Sequence, residues 1–162
     1  MDVSQIILTT LVSEFSDLTD VEQATRVSLR LLLAALLGGL LGYERETHGK
    51  AAGIRTHMLV CSGAALFILG SELVGGGDDA MSRVVQGIVA GIGFLGAGTI
   101  IKGERMHDVK GLTTAAGVWM PAAVGVCVGL GLEATAVLAT LIMLFILNVL
   151  PHFVDRMDRH ED

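Results

Sequence analysis

The sequence predicts an all-α membrane protein, a polytopic bundle of about five transmembrane helices built around a parallel internal repeat of two hairpins. Three observations lead there. Apolar residues make up 52% of the 162 residues, and mean hydropathy is +0.66, both high for a chain that folds in water. The apolar residues fall into five runs near the length that crosses a bilayer, at about 27–43, 54–74, 83–101, 112–131 and 132–150. Finally, one plan occurs twice: Leu40-Leu41-Gly42, a charged loop and Gly53-Ile54-Arg55-Thr56, then Phe94-Leu95-Gly96, a charged loop and Gly111-Leu112-Thr113-Thr114. A repeat unit of two spans returns the chain to the side where it began, so its two copies share one orientation.

Residues 1–26 form an N-terminal segment in which Ile6, Ile7, Leu8 and Leu11 stand among acids and hydroxyls. That run is too short to span and lacks a basic n-region, so it reads as a surface helix and not as a signal peptide. The first span follows, with Arg30 close enough to its start to reach the interface by snorkelling. The last two spans meet at Gly129-Leu130-Gly131-Leu132-Glu133, which predicts a tight turn, and residues 151–162 form a short tail. Eight of the eleven basic residues (Arg45, Lys50, Arg55, Lys102, Arg105, Lys110, Arg156 and Arg159) fall on one side of a five-span topology. The positive-inside rule puts that side in the cytoplasm and the N-terminus outside.

The loops between paired spans concentrate the chemistry. In the first, Glu44 and Arg45 stand where the apolar run ends, where charges are costly unless paired or wet. They can pair with each other or with Arg55 across the hairpin, and Thr56 and His57 follow at the start of the next span. The second loop supplies Asp108 and Lys110, and Thr113 and Thr114 open the fourth span as capping hydroxyls. These residues, with Glu44, Arg45, Arg55, Thr56 and His57, form the expected loop network. The third span carries Gly87, Gly91, Gly93, Gly96 and Gly98, with small residues on several faces. This predicts the crowded centre of the bundle or of a dimer interface.

Several function classes are disfavoured. Gly91 to Gly96 matches G-x-G-x-x-G, but a dinucleotide site needs a strand before it and a soluble helix after it. Here the motif lies inside an uncharged apolar span. The histidines show no H-x-x-x-H or H-E-x-x-H spacing, so no metal ligand set is assigned. Asp78 and Asp79 read as a solvated turn, and Cys61 and Cys127 as structural. No nucleophile has a base beside it, so no enzyme and no cofactor is expected. The net charge of −6 disfavours nucleic acid as a partner.

With these blocks in hand, the chain resembles the MgtC/SapB family of bacterial inner-membrane proteins. The resemblance rests on Arg30 through Leu41, on Gly42 to Glu46 with Ala52 to His57 and Val60, on Gly91 to Gly98, and on Gly111 to Ala116 with Trp119. It covers about residues 27–131. It implies a multi-pass protein of the bacterial inner membrane tied to magnesium homeostasis, adaptation to low Mg²⁺ and, in some pathogens, virulence. It implies a soluble ACT-like domain after the last span in the best-known members, which this chain is expected to lack. Beyond the lipid bilayer, the small-residue faces of the third span suggest a second copy as partner, and the resemblance implies a magnesium transporter or the F-type ATP synthase. Two activities stay open: a regulator working through helix association, and a small dimeric transporter or channel in which Mg²⁺ is ligand or cargo. In the second, Glu44, Arg45, Arg55 and Asp108 would form a cytoplasmic gate.

Overall fold

Asp20 starts the first long helix, its carboxylate accepting from the Glu22 amide at 3.2 Å and so satisfying one of the helix's orphan donors. In a computed structural model, which describes residues 2–102 and 109–158 and the side chains of 2–100 and 111–150, this helix is the second of six. The order is α1 (Val3–Glu14), α2 (Val21–Thr47), α3 (Ile54–Leu73), α4 (Asp78–Gly98), α5 (Leu112–Gly129) and α6 (Glu133–Asp158). Five of them, α2 to α6, are long and apolar enough to cross a membrane. α2 begins six residues before the first predicted span, and α6 continues past Pro151. Between α4 and α5 the chain forms a two-residue antiparallel ladder, β1 (Ile101–Lys102) with β2 (Val109–Lys110), in the register Ile101↔Lys110. None of the residues of α1 is buried.

Three helices stop in the same way. At the end of α5, Gly131 takes φ +76°, its amide bonds to the Val128 carbonyl at 3.0 Å, and the Leu132 amide bonds to the Cys127 carbonyl at 2.8 Å. This is the Schellman pattern, in which a residue at positive φ lets the chain fold back onto its last carbonyls. Gly49 ends α2 and Gly75 ends α3 with the same pair of bonds. The turn predicted between the last two spans is therefore real, and glycine is what permits it.

The core lies between α2, α3 and α5. Along α2 the buried residues Ala34, Leu37, Gly38, Leu41, Gly42 and Arg45 recur at helical spacing and make one inward stripe. Leu41, Cys61, Ala65, Val124 and Val128 from the three helices pack together with Ala136 and Met143 of α6. Half of the α5 span window is buried, against 33% for α3 and 11% for α4. Lipid offers no hydrophobic drive between helices, so close backbone approach has to supply the packing. Gly38 and Gly42 supply it on α2: a Cβ at Gly42 would lie 2.6 Å from Ile54 Cα, and one at Gly38 would lie 2.6 Å from the His57 carbonyl oxygen. Gly125 and Gly129 do the same for α5. Added side chains there would strike the Cys61 carbonyl and, at 2.6 Å, Ile68 Cβ.

At the far end of these helices Arg30 draws inward instead of snorkelling outward. One Nη donates at 2.9 Å both to Glu72 at the end of α3 and to the Gly129 carbonyl at the end of α5. Its Nε lies 3.6 Å from Glu133, the first residue of α6. A cation at a helix C-terminus meets the negative end of the dipole, which favours this position. One guanidinium thus ties four helices.

Candidate functional site

α2 places Glu44 and Arg45 on its inward stripe one turn before its end. Both are almost fully buried, 5% and 4% exposed. Consecutive residues on a helix do not face each other, yet these two side chains fold together. Arg45 Nε donates to Glu44 Oε2, and Arg45 Nη2 donates to Glu44 Oε1 at 2.7 Å. The partner is therefore the neighbour and not Arg55, which is exposed. A bidentate pair is the geometry that makes a buried carboxylate and guanidinium tolerable. His48, on the next turn, brings Nδ1 to 2.8 Å from the Glu44 carbonyl and 3.2 Å from Glu44 Oε1.

α3 adds His57, 1% exposed, with Nδ1 at 2.9 Å from the Gly53 carbonyl. A carbonyl only accepts, so Nδ1 carries the proton in that bond. The other nitrogen, Nε2, makes no hydrogen bond although the Gly117 backbone lies beside the ring. Pro121 has no N–H to donate to the carbonyl four residues earlier, which is that of Gly117. A Cβ at Gly117 would sit 3.6 Å from Arg45 Cδ, an ordinary contact distance, so the arginine stem runs against α5 there. Thr114 is buried one turn earlier on the same helix.

The structure thus divides the expected network. Glu44, Arg45, His57 and Thr114 are interior, where α2, α3 and α5 converge. Arg55 and Thr56 are exposed around a polar hollow of about 240 Å³ shared with Glu46 and Lys50. Thr113 is exposed at an apolar cavity between α5 and α6. Asp108 and the Lys110 side chain lie outside the described residues. Glu46, Gly117 and Pro121 escaped the sequence reading. Glu46 accepts from the Ile54 amide at 2.8 Å and so caps α3 from the preceding helix. Glu46→Ala is expected to lower stability by about 1 kcal/mol, read as a shift in the unfolding midpoint in detergent; an unchanged midpoint would remove the cap from the account.

The interior cluster suits locking better than chemistry. Its acid and base neutralise each other, and among the described residues no three of His, Cys, Asp or Glu gather as a metal site. The surface that remains available is on α4. Gly87, Gly91, Gly93 and Gly98 were expected to crowd the centre of the bundle, and this expectation fails within the chain: a Cβ at any of them meets nothing within 4 Å. Only Ile92 and Gly96 of α4 are buried, and even at Gly96 the nearest neighbour, the Ala115 carbonyl, would stand 3.6 Å away. The crowding lies instead at Gly38, Gly42, Gly125 and Gly129. Each pair has the G-x-x-x-G spacing, but so do Gly87 and Gly91 of α4, so spacing alone does not tell the crowded helices from the open one. α4 leans away from α3 and leaves an apolar groove of about 640 Å³, with Leu59, Gly63 and Phe67 on one wall and Val84, Gly87 and Gly91 on the other.

Comparison with known proteins gives a consistent result. The model of the MgtC family matches residues 31–156. The chain is 50% identical over 111 residues to Protein MgtC of Brucella abortus (strain 2308), covering 68% of this chain and 45% of that protein. It is 49% identical over 116 residues to Protein MgtC of Salmonella typhimurium (strain LT2), covering 72% and 48%. The chain therefore spans about half the length of the curated relatives it matches. No solved structure matches it.

Proposed function

The chain belongs to the MgtC family, and from that premise we propose that it is a regulator tied to magnesium homeostasis, acting through helix association with another membrane protein. The observation that carries this reading is the groove between α3 and α4, walled by Gly63 on one side and by Gly87 and Gly91 on the other. Glycines on an open wall let a foreign helix approach backbone to backbone, which is how membrane helices associate without a hydrophobic drive. The charge distribution supports a bacterial inner-membrane setting with the Glu44–Arg45 end in the cytoplasm. A transporter would use carboxylates, carbonyls or a wet lining along its path. In the described spans Thr140 is a buried hydroxyl, and it donates to the Ala136 carbonyl of its own helix.

Gly91→Leu fills the groove without touching the core. It is expected to abolish co-purification of partners from membranes while leaving insertion and helix content unchanged. Mg²⁺ flux into liposomes holding the folded wild-type chain is expected to stay at the level of empty vesicles. Flux above that level, lost in Gly91→Leu, would replace regulator with transporter.

A further inference from the structure

α4 has a second open face, distinct from the groove. Asp79, Arg83, Gln86, Ala90, Gly93 and Ala97 follow one another at steps of four, three, four, three and four residues, and all six are exposed. That 3.5-residue period is the seam of a left-handed helix pair. Its polar members are what demand an occupant. Gln86 lies eight residues after the start of α4, roughly 12 Å along the axis, and three residues into the apolar run that begins at about residue 83. Neither it nor Arg83 has a hydrogen bond or ion pair among the described residues. A bare amide or guanidinium facing hydrocarbon is costly, because lipid returns none of the hydrogen bonds lost with water.

We propose that this seam pairs with the same seam of a second copy of the chain, α4 against α4 in parallel about an axis along the membrane normal. The inference rests on the reading of the chain as a membrane protein acting through helix association. Charge and hydrogen bonding choose the occupant. Copies inserted in one orientation bring Gln86 against Gln86, and an amide is both donor and acceptor, so it complements itself. Asp79 and Arg83 are one turn apart, about 6 Å along the axis. Each Arg83 therefore reaches the Asp79 of the other copy, and a symmetric pair closes two such bridges. Below Gln86 the seam narrows to Ala90, Gly93 and Ala97, letting the backbones close together. The groove stays open on the roughly opposite face of each α4, so self-pairing and partner capture use different surfaces.

The test is energy transfer between donor- and acceptor-labelled full chains in phosphatidylcholine vesicles, over a series of protein-to-lipid ratios. Wild type is expected to associate, and Gln86→Leu to weaken association by roughly 3- to 30-fold. Asp79→Arg is expected to weaken it as well, and the exchange Asp79→Arg with Arg83→Asp to restore it, which a merely structural role would not do. Helix content and unfolding midpoint stay at wild-type values because every seam residue is exposed. Transfer at the random-mixing level for wild type, or association insensitive to both Gln86→Leu and Asp79→Arg, would overturn the proposal. Gly91→Leu separates the two ideas. If it removes partner capture but leaves energy transfer intact, both stand; if partner capture persists while Gln86→Leu abolishes transfer, the groove fails and the seam survives.

Discussion

Gly125→Ala, a change of one methyl group, is expected to cost the fold about 3 kcal/mol or more, at the upper end of what overpacking does. The new Cβ would collide with the carbonyl oxygen of Cys61 and stand 2.9 Å from its carbon and 3.0 Å from Ala64 Cβ. The first two atoms are backbone of the central helix α3 and have no rotamer to escape into. Relief requires α5 to move off α3, which also opens the contact at Gly129 and loosens Val124 and Val128 in the core. The control is Gly98→Ala, which meets open space and removes a glycine from a helix. Its expected effect is a gain of up to about 1 kcal/mol. Reversible unfolding in mixed micelles reads both, and comparable midpoints for the two variants would refute the close crossing.

The second large effect is expected at the interior ion pair. Removing one member leaves the other charged and buried, at a cost of about 3–5 kcal/mol. Arg45→Met and Glu44→Gln should each destabilise strongly, the first by stranding a carboxylate and the second a guanidinium. The double variant Glu44→Gln with Arg45→Met should recover much of the loss, because it leaves no uncompensated charge. Strict additivity of the two single effects would show that the side chains do not act as a pair. The expected non-additivity separates a lock from a gate. A gate must tolerate opening, whereas a bidentate pair at 4–5% exposure is held shut by its own desolvation cost.

Much of this fold is legible in the sequence. Five apolar runs gave five helices, because length and hydropathy are the constraints a bilayer imposes most strictly. The turn at Gly131 was readable because glycine is what a positive φ calls for. Glu44 and Arg45 were picked out by their place at the edge of an apolar run. Their choice of each other over Arg55 was not readable, since adjacent residues do not ordinarily face one another. That the crowding within the chain falls on α2 and α5 and not on α4 was not readable, because Gly87 and Gly91 show the same four-residue spacing. Gly38–Gly42 and Gly125–Gly129 are each a single pair, and a backbone crossing needs only that.

α4 is held differently from the other spans. Gly75, Gly76 and Gly77 precede it, and the short β1–β2 ladder follows it. Its buried residues are Ile92 and Gly96. It packs on α5 and α3 without an ion pair among the described residues, whereas α2, α3, α5 and α6 are tied at one end by Arg30. The chain thus holds four helices together by one guanidinium, and α4 by packing alone.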